Sequence, residues 1–227
     1  MLVIAPHPDD ETIGCGGLIA FAAGHGIGVH VAVITNGSAS HPGSCAWPPT
    51  RIGLRRRTEL VMALATLGAP CDPILFDLPD AATLDLPDAI RDAARGALSK
   101  LLDTIKPDVV CTPWRRDPHC DHRFSYALTR EAMRMVNSSA KCLEYMVWTN
   151  IIGTGSDQPG LEETMSLRLN IDPVRERKRA ALRQHASQLG RLIHDDPKGF
   201  SLTDTQFESM TCGDERFEMD PLSLRRC

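Results

Sequence analysis

Short apolar runs alternate along this chain with longer segments of helical periodicity, and this alternation constrains the fold most strongly. Strands are predicted at residues 2–5, 29–35, 74–76, 108–112 and 143–148, and helices between them at 12–24, 51–67, 87–105 and 123–136. Strands that alternate with helices form right-handed βαβ units around a mostly parallel sheet. The sequence therefore predicts an α/β protein of three layers.

The C-terminal third departs from this alternation. Residues 165–171 predict a strand with one exposed face, residues 173–190 predict a charged helix, and the polar tail from residue 191 predicts only a strand near Phe217. Because no repeat or Pro-rich linker interrupts the chain, we expect one domain over residues 1–227, with this third as an elaboration.

Composition excludes several classes of protein. The chain has 227 residues, of which 42% are hydrophobic, and a net charge of −4. Such a chain is not expected to be disordered or to bind nucleic acid through phosphates, and no apolar stretch reaches the roughly 18 residues of a membrane span. Eight cysteines without a CxxC pair, and no visible secretion signal, favour free thiols in the cytoplasm.

Two clusters of histidine and carboxylate carry the chemistry. The first, at residues 6–11, lies between the first strand and the first helix, and the second, at residues 117–122, follows the fourth strand. In a sheet of order 3-2-1-4-5 the first and fourth strands are neighbours, and their carboxyl ends form the crevice where ligands bind. We therefore expect both clusters to meet there.

The residue types suit a hydrolytic zinc site, which uses three protein ligands and a water molecule. His7 and Asp10 are three residues apart at a helix start, and His122 can supply the third ligand from across the crevice. Asp9, beside a ligand, suits a general base. His119 suits either an oxyanion partner or a proton donor for the leaving group.

Other interpretations of these residues need weighing. Asp121 is expected to orient one of the imidazoles through a hydrogen bond. The acidic run at residues 9–11 also suits a helix N-terminus that complements the helix dipole, and the histidines at 119 and 122 also suit an ordinary loop. The coincidence of two clusters at matching positions favours the metal. We interpret Gly14, Gly16 and Gly17 as sites of close helix–sheet packing, since they do not form GxGxxG after a strand.

The two clusters resemble the motifs of a known family. Ala5 to Glu11, followed by Gly14 to Gly17, resembles the opening motif of the PIG-L/LmbE-like zinc-dependent N-acetylglucosaminyl deacetylases, and His119 to His122 resembles their second motif. Weaker similarities continue along essentially the whole chain, including residues 178–188 and 215–217.

The resemblance implies a Rossmann-like fold and removal of an N-acyl group, usually acetyl, from an amino sugar or sugar conjugate by zinc-bound hydroxide. It implies His7, Asp10 and His122 as zinc ligands, although Fe²⁺ and other divalent ions bind similar donors. It also implies Asp9 as the general base and then the acid, and His119 as the oxyanion partner, which we expect to act in its protonated form.

Several questions stay open at this point. Trp47, Arg56 and Arg57 are candidates for contact with the substrate, and a homo-oligomer is possible. Cys120 stands where the family commonly has Pro, and either points outward or approaches the metal as a thiolate. The rival functions are a zinc-dependent hydratase or lyase on the same fold, and a metal-binding protein without catalysis.

Overall fold

The computed structural model describes residues 1–160 and 162–221 and shows an α/β fold built on a mostly parallel sheet. The strands are β1 (Leu2–Ala5), β2 (His30–Thr35), β3 (Ile74–Leu78), β4 (Val109–Pro113), β5 (Lys141–Tyr145), β6 (Met165–Leu169) and β7 (Glu215–Met219). The helices are α1 (Asp10–Gly24), α2 (Pro49–Leu67), α3 (Asp88–Ile105), α4 (Cys120–Met135), α5 (Arg175–Leu182) and α6 (Asp204–Thr211). None of these helices is both long and apolar enough to cross a membrane.

The sheet has the order β3-β2-β1-β4-β5-β7-β6 within the described residues. The predicted order 3-2-1-4-5 is therefore confirmed, and the C-terminal elaboration extends it, since β7 pairs with both β5 and β6 in antiparallel fashion. β1 pairs with β2 on one side and with β4 on the other. The chain thus reverses direction across the sheet between β1 and β4, which creates the switch-point crevice.

Side chains that alternate along the strands build a core on each face of the sheet. Val3 and Ala5 of β1 pack with α1, α2, α5 and α6 on one face, whereas Leu2 and Ile4 pack with α3 and α4 on the other. The three layers predicted from the strand and helix alternation are therefore confirmed.

Some boundaries differ from the predicted ones. The helices predicted from residues 12 and 123 begin at Asp10 and Cys120, so that acidic residues of each cluster lie in the first helical turn, where the helix dipole favours them. The helix predicted over 173–190 is continuous only in α5, and short 3₁₀ turns flank it. The tail contains α6, which starts with a capping box of Thr203 and Gln206.

Gly14 and Gly17 allow close packing of α1, as predicted, whereas Gly16 faces Lys178 of α5 and not the sheet. A Cβ on Gly14 would lie 2.1 Å from the ring of Tyr145, and one on Gly17 would lie 2.3 Å from Ile171. Tyr145 is fully buried, and its hydroxyl donates to the carbonyl oxygen of Ile4 at 2.7 Å. Because these positions lack side chains, α1 can lie directly against the sheet, immediately after the loop that carries the first cluster.

We expect Gly14→Ala to lower the free energy of unfolding by about 1–3 kcal/mol, because the Tyr145 ring cannot retreat without losing its hydrogen bond. Denaturant titration would measure this. Gly96→Ala is the matched control, since a Cβ there meets nothing within 4 Å, and it should stabilise the helix by about 0.5–1 kcal/mol. Equal effects of the two substitutions would contradict the packing argument.

Candidate functional site

The two clusters meet at the carboxyl ends of β1 and β4. The first occupies the turn between β1 and α1, and the second occupies the turn between β4 and α4. Because β1 and β4 are adjacent parallel strands, both turns lie over the same crevice.

Three buried side chains of the clusters converge on one point. Asp10 Oδ2 lies 3.0 Å from His7 Nδ1 and 3.1 Å from His122 Nε2. One ligand atom from each residue lies within 4.8 Å of the other two, which is compact enough for a single metal ion. The site thus brings together the three residues that the sequence predicts as ligands.

His122 provides a direct test of whether this donor set fits a cation. Its side chain is completely buried, yet neither ring nitrogen has a hydrogen-bond partner among the described residues. The carboxylates of Asp10 and Asp117 lie within 3.1 and 3.4 Å but lack hydrogen-bond geometry. Leaving a buried polar group unsatisfied is costly, and two imidazoles with a carboxylate are donors that divalent metals prefer. The set therefore fits a divalent metal.

The electrostatics of the cluster favour positive charge. Burial lowers the pKa of His122, but the carboxylates of Asp10 and Asp117 outweigh it and raise that pKa to about 9. Burial also opposes ionisation of Asp10, but the neighbouring His122 and His7 hold its pKa well below the usual value. The negative charge of these carboxylates would also favour a metal cation bound between the groups.

Outer carboxylates fix the orientation of His7. Its Nε2 lies 3.0 Å from Asp121 Oδ2 and 3.1 Å from Asp80 Oδ1. Asp121 is anchored in turn, because it accepts hydrogen bonds from Ala81 N at 2.8 Å and Thr83 Oγ1 at 2.6 Å. This arrangement leaves Nδ1 of His7 turned toward Asp10, as a ligand of a metal would require.

A second group of possible ligands comprises His7, His119 and Asp121. It fits a cation less well, because its members already have partners. Both oxygens of Asp121 accept hydrogen bonds, and His119 Nδ1 accepts the backbone N–H of Asp121 at 3.2 Å. The group with His122 retains unsatisfied nitrogen and is the better candidate.

Asp9 lies beside the donor set in a strained conformation. Its φ of +149° is unusual for a residue other than glycine, and such strain is retained only where neighbours enforce it. Glu11 accepts its backbone N–H at 3.0 Å, and Arg56 Nη2 lies 3.1 Å from Asp9 Oδ2. Burial raises the pKa of Asp9 to about 6, against the opposing charge of Arg56.

Arg56 is buried behind Asp9. It donates to the carbonyl oxygens of Gly37 at 2.9 Å and Pro8 at 3.1 Å as well as pairing with Asp9. The guanidinium therefore ties the first cluster to the end of β2. It also lines the cavity described below, so contact with a substrate is compatible with its place.

We expect Arg56→Lys to lower kcat by roughly 10–100-fold, because a lysine cannot hold Asp9 and two carbonyl groups at once. Steady-state kinetics and elemental analysis would show a kcat loss at unchanged metal content. Arg134→Lys, on an exposed position late in α4, is the control. A raised KM at unchanged kcat would instead identify Arg56 as a substrate contact.

His119 caps the N-terminus of α4. Its Nδ1 accepts the N–H of Asp121, so the neutral ring carries its proton on Nε2 and can donate from that atom. Burial, together with the neighbouring His7 and His122, lowers the pKa of His119 to about 4. The structure thus favours a neutral hydrogen-bond donor over the protonated form expected from the sequence.

The donor set opens into a cavity of about 530 Å³. His7, Asp9, Asp10 and His119 line it, together with Trp148. The side chains of His122 and Asp121 are fully buried.

Trp47 and Arg57 do not line this cavity. Trp47 packs under Arg51, whose guanidinium lies 3.9 Å from the ring centre. Arg57 is exposed and lines a separate depression of about 300 Å³ near Asn36. Trp148, which lies beyond the end of β5, and Phe200 are aromatic residues that line the cavity instead. The loop at residues 38–50 nevertheless reaches the cavity through Ser40 and Pro42.

Cys120 is half-buried at the start of α4. Its thiol lies 3.5 Å from Asp121 Oδ1. Burial and the charge of Asp121 raise the pKa of this thiol. The side chain is therefore held as a thiol, which argues against the thiolate considered from the sequence.

Sequence reasoning missed two carboxylates of the site. Asp80 contacts His7, and Asp117 contacts His122 and receives the backbone N–H groups of His119 and Trp148. Asp80 follows the carboxyl end of β3, and Asp117 opens the second cluster. Both residues follow the end of a predicted strand, which could have marked them as candidates for the site. No spacing in the sequence, however, links either of them to a particular histidine.

Comparison with known proteins identifies relatives of this chain. Residues 2–133 match the PIG-L family model, which is described as GlcNAc-PI de-N-acetylase. Among curated relatives, 1D-myo-inositol 2-acetamido-2-deoxy-alpha-D-glucopyranoside deacetylase of Mycobacteroides abscessus is 29% identical, over 89% of this chain and 85% of that protein.

Solved structures share the fold. The deacetylase of the A40926 pseudoaglycone is 25% identical, with a TM-score of 0.71 over 96% of this chain and 95% of its own. The 4-carboxy-2-hydroxymuconate hydratase of Pseudomonas putida KT2440 is 19% identical, with a TM-score of 0.66 over 92% of this chain and 82% of its own. The fold alone therefore does not distinguish amide hydrolysis from hydration.

Proposed function

Because the chain belongs to the PIG-L family, we propose that it is a metal-dependent deacetylase that hydrolyses the N-acetyl group of an amino sugar or its conjugate. The observation that carries this proposal is the convergence of a buried His–Asp–His donor set with a second carboxylate, Asp9, at one cavity. The curated relative named above supports the substrate class, since its name describes an acetylated glucosaminyl-inositol.

We propose His7, Asp10 and His122 as the ligands and Zn²⁺ as the native ion. When bound, such an ion polarises the amide carbonyl and makes water more acidic. Asp121 and Asp80 would hold His7 in the orientation that binding requires.

Asp9 serves in this proposal as the general base and then the general acid. Its carboxylate takes a proton from water as the water oxygen bonds to the acetyl carbon. When the carbon–nitrogen bond breaks, the same proton passes to the departing amine, and the products are the free amino sugar and acetic acid, which ionises to acetate. The hold of Arg56 and Glu11 on Asp9 keeps the carboxylate in place for both transfers.

His119 stabilises the negative charge that develops on the carbonyl oxygen. Its Nδ1 is already engaged, and its Nε2–H has no hydrogen-bond partner within residues 1–160 and 162–221. A neutral donor suffices for this role, because a hydrogen bond aimed at a developing oxyanion gains strength in the transition state.

Arg56 remains our proposal for a substrate contact in addition to its hold on Asp9, whereas Trp47 and Arg57 would act only if the substrate extends beyond the cavity. A single domain over residues 1–227, a cytoplasmic location and a homo-oligomer stay predictions from the sequence.

The proposal is tested by release of free amine from acetylated glucosaminyl-inositol and from N-acetylglucosamine, with and without a chelator. We expect turnover with at least one of them, its loss on chelation and its return with added Zn²⁺. Full turnover by protein that elemental analysis shows to be free of metal would overturn the metal dependence. Absence of amine release from both would overturn the substrate class.

The rival functions are less well supported. The likeness to a hydratase concerns the fold alone, at 19% identity. A carboxylate beside the donor set that is buried and held by an arginine favours amide hydrolysis, which needs a group to carry a proton to the amine. Metal binding without catalysis leaves the placement of Asp9 and His119 at the cavity unexplained.

A further inference from the structure

Trp148 contacts the candidate oxyanion donor through its ring. The ring centres of Trp148 and His119 are 6.0 Å apart and the planes are inclined by 24°. Phe200 packs against Trp148 from another direction, with centres 5.4 Å apart and planes at 63°. His119 therefore belongs to a row of three aromatic side chains along the cavity wall.

One buried carboxylate fixes the backbone on both sides of this contact. Asp117 Oδ1 accepts the N–H of His119 at 3.1 Å, and Oδ2 accepts the N–H of Trp148 at 3.0 Å. Asp117 is fully buried, so its hydrogen bonds are shielded from competition with water. Asp117 thus holds the backbone of His119, in the turn after β4, and the backbone of Trp148, in the turn after β5, at fixed positions.

The His119 ring itself has few polar restraints. Its one hydrogen bond within the described residues joins Nδ1 to Asp121 N at 3.2 Å, and such a bond still allows the ring plane to tilt about the bond axis. Its ring contacts are with His7 at 4.8 Å in an edge arrangement, with His122 at 5.2 Å in a tilted one, and with Trp148 in the one stacked arrangement among these three. The plane of Trp148 therefore limits where Nε2–H can point.

We propose that Trp148 is a positioning residue that aims the Nε2–H of His119 at the carbonyl oxygen of the substrate. This inference rests on the role of His119 proposed above. The Trp148 ring packs on His119 and also contacts Phe200, and in this proposal it acts on the reaction through His119.

The test combines substitutions at Trp148 and His119, with acetylated glucosaminyl-inositol as the substrate. His119→Ala should lower kcat by roughly 10²–10³-fold. Trp148→Leu should lower kcat by roughly 10–100-fold, with a smaller change in KM and unchanged metal content. Trp148→Phe should recover most of this loss, because a flat ring again restrains His119.

The control and the double variant make the test specific. Phe21→Leu removes a comparable ring stack, with His25 at 4.3 Å, from the exposed end of α1 and should leave kcat unchanged. In the His119→Ala background, Trp148→Leu should have no further effect on kcat, since there is no imidazole left to aim.

Several results would overturn the proposal. A full effect of Trp148→Leu in the His119→Ala background, or a raised KM at constant kcat, would show that Trp148 acts on the substrate directly. Either result leaves the deacetylase function intact. An unchanged kcat in His119→Ala would remove the role of His119 and this proposal with it, whereas absence of hydrolysis by the wild-type protein would remove the proposed function itself.

Discussion

Protein with His122→Ala is expected to lose its metal and with it all measurable amide hydrolysis. The donor set has only three members, and His122 is the one whose ring nitrogens have no other partner among the described residues. Loss of a partner outside the ligands typically costs about 10–100-fold in metal affinity, and loss of a ligand should cost more. Elemental analysis of the purified variant and titration with Zn²⁺ would measure the change.

Two comparisons make this result informative. His194→Ala, at an exposed position of the C-terminal tail, should retain its metal. His119→Ala should also retain it, which separates the donor set with His122 from the group of His7, His119 and Asp121. If His122→Ala retains its metal and His119→Ala loses it, the metal is bound by the second group instead.

Most of the fold followed from local patterns. Buried parallel strands leave apolar runs that are hard to mistake, and the three-layer arrangement and the order of the first five strands were predictable from them. The insertion of β7 between β5 and β6 was not, because antiparallel pairing of short strands depends on contacts between distant segments. α6 has few apolar residues and lies in a polar tail, so its periodicity gave no signal.

The residues of the site also fall into two groups, those that a local motif reveals and those that only the fold brings near. His7, Asp9, Asp10, His119 and His122 could be proposed from the sequence, because each cluster places its members within a few residues after a strand end. Asp80 and Trp148 reach the site from other turns, after β3 and β5, and only the folded sheet brings them near. The partner of Arg56 was equally inaccessible, since α2 carries three consecutive arginines and only packing decides which one faces Asp9.

The protonation state of His119 could not be predicted from the spacing of residues in the sequence. The sequence suggested an imidazolium, because a positive charge is the simplest partner of an oxyanion. The structure places this ring beside His7 and His122 and makes Nδ1 an acceptor, so a second proton has no favourable position. A neutral Nε2–H donor is consistent with both facts.

Asp9 is the other residue whose replacement should remove nearly all of the activity. Its carboxylate is not a member of the donor set, but its backbone strain, its pairing with Arg56 and its hydrogen bond to Glu11 keep it beside that set. Strain at an acidic residue beside the donor set supports a function beyond helix capping, and the Asp9 side chain makes no capping hydrogen bond to α1.

We expect Asp9→Asn to keep its metal and its KM while kcat falls by roughly 10²–10⁴-fold, the usual contribution of general acid–base catalysis. Asparagine has nearly the same shape as aspartate but cannot accept the proton of water or return it to the amine. Amine release and elemental analysis would test this beside Asp103→Asn, an exposed control on α3. A kcat near that of the wild type would refute the base, and loss of metal would instead mean that Asp9 helps to hold the ion.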